Sequence, residues 1–315
     1  MNFILPFRVP PAKNAIGYQH NLLCIGSCFA SEIGELIKEH QFNVALNPHG
    51  ILFHSQSIAI ALNDYITNRS YTNKDLVMDQ NRWHSLHHHG SFSHANKEVC
   101  LDQINTNINK AHLSTKNADW LCITLGSSWV YEFIPTGEIV ANCHKIPSAN
   151  FKKKLLEASD QVKLLQAQID LLRVFNPKIN IILTVSPVKY IRDGIIENNI
   201  SKSHLLIAAN EISQNNKNCH YFPAFELVND VLRDYRFYKE DLVHPNDQAM
   251  KFVWEQFIKT YLEPQQSSLF EEVSAWVKFN EHTPKEAHAL ELHLEIAMSR
   301  YNSVVQKINS LQPKY

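Results

Sequence analysis

The sequence predicts an α/β fold: a mainly parallel sheet with helices on both faces, followed by a C-terminal helical appendage. Three observations predict it. Apolar, strand-like runs alternate with helix-period stretches along most of the chain, the pattern of strands joined by crossover helices. Three of only eight glycines, Gly26, Gly50 and Gly126, stand at or just after the ends of the first three such runs, where turns need positive φ or close backbone approach. At 315 residues and 44% hydrophobic content, the chain can bury one large core.

The elements follow in order. "NLLCIG" reads as a strand leading into a helix near residues 29–40, whose Phe29, Ile33, Leu36 and Ile37 keep a 3.6-residue period. "FNVALNPHG" is a second strand and loop, and "SQSIAIALNDYI" a helix. The segment near 68–100 is polar and irregular, an insertion bordering the site. "ADWLCITLG" is a third strand, and "WVYEFIPTGEIVANCH" a hairpin around Pro-Thr-Gly. "FKKKLLEASDQVKLLQAQIDLLRVF" predicts one long amphipathic helix and "NIILTVSPV" a β-branched strand. "SKSHLLIAANEIS" then predicts a helix, "CHYFPAFE" a short strand, and "NDQAMKFVWEQFIKTYL" a helix after "DLVHP". Beyond Pro264 the pattern turns to helices without strands, near 268–279 and 283–308. Residues 1–263 are therefore expected to form the domain, and 264–315 a helical extension for packing or homo-oligomer contact.

Bulk properties remove several function classes. A formal net charge of -1, from 30 basic and 31 acidic residues, leaves no electrostatic footprint for nucleic acid or an anionic membrane surface. No apolar run approaches the roughly 20 residues of a membrane span. "MNFILPFRVPP" has no basic start and three early prolines, a poor signal peptide. Six scattered cysteines then read as reduced thiols in a cytoplasmic protein. There is no Walker-type motif and no H-E-x-x-H, and no cofactor is expected. His87–His89 and the Cys143-His144 pair invite a metal, but consecutive histidines on a strand face opposite ways, and no metal is assigned. With Trp83 and His144, His87 and His89 instead suit a polar pocket wall.

Two places carry nucleophilic chemistry. In "IGSCFA" a strand breaks at Gly26 and a helix starts at once, with Ser27 and Cys28 as alternative nucleophiles. In "YKEDLVHPNDQA", His244 is the only one of the seventeen histidines with an acid three residues before it, Asp241. Such an acid can accept the Nδ1 proton and turn Nε2 toward a nucleophile. Lys189 and Arg192 follow a strand and could reach an anionic group, while Arg233, Asp234 and Arg236 are expected to pair and hold the Asp241 loop.

"GSCFA" at Gly26–Ala30 resembles the signature of the GSCFA family, which is similar to the larger SGNH/GDSL hydrolase group. "NPHGILF", "TLGSSWVYE", "NCHKIP", "TVSPVKY", "YFPAFE", "LRDYRFYKEDLVHP" and "VWEQF" resemble further family blocks, covering roughly residues 1–263. The resemblance implies a flavodoxin-like three-layer α/β/α fold and an SGNH-type acyl hydrolase acting on a small-molecule or glycan ester. It also implies Asp241 and His244 as orienting acid and base, and Gly50 as a backbone oxyanion donor. Laid on the G-D-S-L block, Cys28 takes the nucleophile position, and a thiol at a helix N-terminus facing His244 is expected to have a lowered pKa. Where an oxyanion Asn would stand, this chain has Ser128, and Asn142 is the substitute expected to return to the site. His144, Lys145 and Gly126 are expected substrate contacts. An O-acyltransferase using the same residues and a noncatalytic glycan-binding module are the competing readings.

Overall fold

The structure, a computed structural model, describes residues 5–281, 284 and 287–311. Five strands form one parallel sheet: β1 (Asn21–Gly26), β2 (Asn43–Leu46), β5 (Trp120–Leu125), β9 (Asn180–Val185) and β10 (Cys219–Tyr221), in the order β10-β9-β5-β1-β2. Renumbered along the chain this is 2-1-3-4-5, the flavodoxin-like order, whose direction reverses between β1 and β5. Period-two alternation sorts the side chains. Leu23, Ile25, Leu121, Ile123, Ile181 and Leu183 enter one core, while Leu22, Cys24, Trp120 and Ile182 enter the other. The strands read as unbroken apolar runs because both faces are buried.

The first core is closed by α2 (Ser55–Thr67), α3 (Lys97–Asn117), α4 (Ala158–Phe175) and α5 (Ile195–Asn215), through Leu62, Ile104, Leu165 and Leu205. The second is closed by α1 (Cys28–Glu39) and by the helix Asp247–Tyr261, here α6, through Ile37, Val253 and Trp254. The last two helices, α7 (Ser267–Glu281) and α8 (Ala287–Leu311), join this second core through Val273, Val304 and Ile308. Trp276 Nε1 donates to the Ala297 carbonyl at 3.1 Å and ties the two together. The expected helix start at 283 lies outside the described residues. No helix among the described residues is long and apolar enough to cross a membrane.

Two sequence expectations are corrected. Residues 151–155 are not the first turn of a long helix but a strand, β8 (Phe151–Leu155), antiparallel to β6 (Trp129–Phe133), which also pairs with β7 (Glu138–Val140). A five-residue window of lysines and Leu/Phe satisfies both periods. Pairing decides it: Lys153 lies over the Trp129 ring at 4.2 Å and Lys154 ion-pairs with Glu132. The insertion at 68–100 also has order, a hairpin of β3 (Val77–Asp79) and β4 (Arg82–His84), and His87–His89 lie in the turn beyond it rather than on a strand.

Buried histidines bond across this layer, and the fold is therefore expected to lose stability in acid. His54 caps α2, its Nδ1 accepting from Ser57 N–H and its Nε2 donating to the Val140 carbonyl, both at 3.0 Å. Burial pulls its pKa down to about 4. A base depressed on folding binds fewer protons native than unfolded, so its stabilisation is complete above the unfolded pKa of about 6.5. It is lost as pH falls from there toward 4, and the difference is on the order of 3 kcal/mol. Thermal melts are expected to show Tm falling from about pH 7 to about pH 4.5, with a shallower slope in His54→Asn. An unchanged slope in that variant would clear His54 of the effect.

Candidate active site

The carboxyl ends of β1 and β5, where the strand order reverses, are where such sheets bind ligands. β1 ends at Gly26, whose φ of +135° and position, with a Cβ 2.2 Å from the Thr124 carbonyl oxygen, admit only glycine. Asn47 Oδ1 accepts the Gly26 N–H at 2.9 Å, Leu52 N–H donates to the Gly26 carbonyl at 2.8 Å, and Ser27 N–H donates to Thr124 O at 3.2 Å. The turn is thus clamped on both sides, and α1 starts immediately after it.

Ser27 is the N-cap of α1, yet its hydroxyl makes no capping bond. The residue is 1% exposed, and Oγ has no hydrogen-bond partner among the described residues. Cys28, the first helical residue, is half-buried. Its thiol departs from expectation: the pKa is raised, not lowered. Burial and the Glu32 carboxylate push it up and outweigh the Phe29 and Cys28 N–H groups and the Lys202 ammonium, which pull it down.

The Asp241–His244 pair is assembled in a turn before α6. His244 Nδ1–H donates to Asp241 Oδ2 at 2.7 Å, while Val243 and His244 N–H donate to Asp241 Oδ1 at 2.9 and 3.0 Å. These bonds hold the Asp241 carboxyl well below the usual carboxylate range. Two contacts fix the turn against the sheet end. Lys189, just past β9, donates its N–H to the Val243 carbonyl at 3.2 Å. Lys239, whose N–H bonds the His244 carbonyl at 2.7 Å, reaches Glu32 on α1 at 3.1 Å. Glu32 therefore touches the loop of His244 and lies within electrostatic reach of Cys28.

The other expected donors are otherwise engaged. Gly50 N–H is spent on the Asn47 carbonyl at 2.7 Å, and its missing Cβ makes room for His89, not for a ligand. Ser128 is fully buried, its hydroxyl donating to Ser201 O at 2.8 Å and accepting from Gln161 Nε2 at 2.9 Å. Gly126 has its N–H on Phe53 O at 2.8 Å and its carbonyl on Lys202 Nζ at 2.7 Å. Asn142 Oδ1 accepts the His144 N–H at 2.9 Å, and Asn142 N–H donates to Leu86 O, so this loop docks on the insertion. His144 stacks on His84 at 4.7 Å and bonds Ser85 O at 2.7 Å, while Lys145 is exposed. Trp83 pairs with His94 across the insertion, and His88, not His87 or His89, stacks on His49 at 4.1 Å.

Of the expected cations, Lys189 lies over the Tyr238 ring at 3.4 Å, and burial brings its pKa down to about 8. Asp234 and Arg236 pair at 2.9 Å, but Arg233 instead ends a helical turn with φ 52°. Among the described residues, no group of three or more His, Cys, Asp or Glu side chains could hold a metal ion.

Sequence reasoning missed Asn47 and Lys202. Asn47 is the residue that clamps Gly26, and its Nδ2 also reaches Ser31 Oγ at 2.8 Å. Lys202 had a legible signal. It shares the buried stripe Asn198, Ser201, Leu205, Ala209 and Ile212 of α5, where a lysine is out of place.

Residues 21–257 match the model of the GSCFA family. No curated protein matches the chain. Among solved structures it is similar to a Streptococcus pneumonia protein named for platelet activating factor, at 13% identity over 81% of this chain and 85% of that one, TM-score 0.42. It is also similar to a Clostridium thermocellum family 3 carbohydrate esterase (10% identity, 80% and 97% covered, TM-score 0.35). A third similar structure is a mutant acetyl-xylooligosaccharide esterase from Geobacillus (11% identity, 78% and 95% covered, TM-score 0.37). The matched span takes in the whole parallel sheet and each candidate residue from Gly26 to His244, and by that match the chain belongs to the GSCFA family.

Proposed function

We propose that the protein is an SGNH-type acyl hydrolase, an esterase that forms an acyl-enzyme on Cys28, with O-acylated carbohydrate as its substrate class. One observation carries the reading: an Asp241–His244 hydrogen bond of 2.7 Å on a loop that is ion-paired to α1 one turn beyond Cys28. In this mechanism Asp241 holds Nδ1 protonated, so Nε2 is the basic nitrogen and takes the Cys28 thiol proton. The sulfur attacks the ester carbonyl, and first-turn N–H groups of α1, those of Cys28 and Phe29, receive the developing oxyanion. The imidazolium then protonates the leaving alcohol, and water, deprotonated by His244, cleaves the thioester. Cys28 is preferred over Ser27 because its side chain is half-buried while the Ser27 hydroxyl is enclosed. The polar loops around Asn142 and Lys145 suit a hydroxyl-rich alcohol portion.

A second reading, a noncatalytic glycan-binding module, is favoured by the raised Cys28 thiol and by the engaged Gly50 and Ser128 donors. Acid-quenched mixtures with p-nitrophenyl acetate, mapped by mass spectrometry, separate the two. The expected result is an acetyl thioester on the peptide carrying Cys28. An adduct on Ser27 would move the nucleophile. Folded protein with neither adduct nor p-nitrophenol release would leave the binding module. Product transferred to an added sugar acceptor in preference to water would identify an acyltransferase working through the same intermediate.

A further inference from the structure

The segment that spans the reversal point of the sheet carries a side chain that the mechanism above does not use. Leu52 N–H donates to the Gly26 carbonyl at 2.8 Å, at the end of β1. The Phe53 carbonyl accepts the Gly126 and Ser127 N–H groups at 2.8 and 2.9 Å, just past the end of β5. Three main-chain bonds thus lay residues 52 and 53 across the crevice between the two strand ends, the place where such sheets bind ligands. Their side chains then part. Leu52 is 1% exposed and enters the first core, whereas Phe53 is 43% exposed.

A single apolar residue at the surface is ordinary, but this ring is pinned beside the nucleophile turn. A Cβ on Gly126 would lie 3.3 Å from Phe53 Cδ1, 3.0 Å from the Phe53 carbonyl oxygen and 3.1 Å from Ser27 Cβ. The ring edge and Ser27 therefore border one small space, which the glycine leaves open and a single methyl would crowd. Ser27 directly precedes Cys28, so the ring flanks the turn that presents the thiol. The ester to be cleaved has two unlike halves. Its alcohol is hydroxyl-rich, and the leaving oxygen must lie within reach of His244, which protonates it. His244 comes from the turn before α6, which packs into the second core, while Phe53 comes from the loop before α2, which packs into the first. The apolar half, the acyl chain, points away from His244 and meets an apolar ring across the turn.

From this placement we infer that Phe53 is a specificity-determining residue: its ring, fixed over Gly126 beside the nucleophile turn, walls the acyl side of the site and restricts substrates to esters of short acyl groups. The inference rests on the acyl-hydrolase reading and adds to it the size of the acyl group. Its closing contact is made by a side chain, while the hydrogen bonds that hold the segment are made by the main chain, so the two can be separated by mutation.

The test holds the alcohol constant and varies the chain, measuring kcat/KM for p-nitrophenyl acetate, butyrate and hexanoate. The unchanged protein is expected to favour acetate over hexanoate by about tenfold or more, the scale on which a pocket senses added methylenes. Phe53→Ala is expected to raise the hexanoate-to-acetate ratio by at least about tenfold, and Phe53→Trp to lower it. Alanine keeps the three main-chain bonds, so the variant should melt close to the unchanged protein. The tryptophan variant keeps an aromatic ring in place and reads the same wall from the other direction. An unaltered ratio in folded Phe53→Ala overturns the inference and leaves the acyl hydrolase standing. So does an unchanged protein that hydrolyses all three esters equally well. A Phe53→Ala effect confined to the choice among acetate esters of different alcohols would put the ring on the alcohol side, and overturns it too. Neither hydrolysis nor an acyl thioester with any of the three esters overturns both the wall and the acyl-hydrolase reading.

Discussion

Cys28→Ala is expected to abolish ester hydrolysis, lowering kcat/KM for p-nitrophenyl acetate by about 10⁴-fold or more, as loss of a nucleophile does. Ser27→Ala is expected to leave turnover largely intact. The contrast follows from two adjacent residues with opposite environments. Ser27 Oγ is enclosed between Gly126 and α1 with no partner, so removing it frees an unsatisfied polar atom. Cys28 is half-buried at the N-terminus of α1, the helix whose Glu32 is ion-paired with Lys239 of the His244 loop. Both variants should melt close to the unchanged protein, because neither side chain caps the helix. Activity retained in Cys28→Ala and lost in Ser27→Ala would reverse the assignment. Activity retained in both would remove the turn from the chemistry.

The second large effect is at His244. His244→Ala is expected to lower kcat on the order of 10³-fold, the usual range for a lost general base, with recovery on adding imidazole. The side chain is 37% exposed, so the space it vacates is open to a small base. Asp241→Asn should cost less, about tenfold to a hundredfold. Its carboxylate is 47% exposed, and water can take over part of its electrostatic role. Backbone N–H groups of Val243 and His244 also bind this carboxylate, so the asparagine loosens the turn as well as the imidazole. Rescue by imidazole separates a chemical role from a structural one. A His244→Ala protein with unchanged kcat would sink the acyl-transfer reading.

Local rules were enough wherever a short window contains its own physics. The unbroken apolar runs in Asn21–Gly26, Trp120–Leu125 and Asn180–Val185 identified three central strands, because side chains entering two buried layers leave no polar face. Gly26 was readable as a turn residue, and Asp241 with His244 as a hydrogen-bonded pair, because three residues of separation suffice to bring them together. The same locality explains the errors. Phe151–Leu155 satisfies a helical period as well as a strand period, and only β6 as a partner chooses between them. Gly50 and Ser128 look available as donors in a linear sequence. For Ser128 the competitors, Ser201 O and Gln161 Nε2, arrive from α5 and α4, while Gly50 is taken by Asn47 O in a turn of its own loop that composition did not reveal.

By itself, then, the sequence determined the α/β class, the strand–turn–helix at Gly26 and the two alternative nucleophiles beside it. Their hydrophobic period and turn chemistry act over a few residues. Tertiary structure alone decided that Ser27 is enclosed while Cys28 is half-exposed, that burial and Glu32 raise the thiol, and that the Lys202 ammonium of α5 caps the Gly126 and Ser186 carbonyls. Burial and charge at one atom are sums over groups distant in the chain, and folding is what brings those groups together.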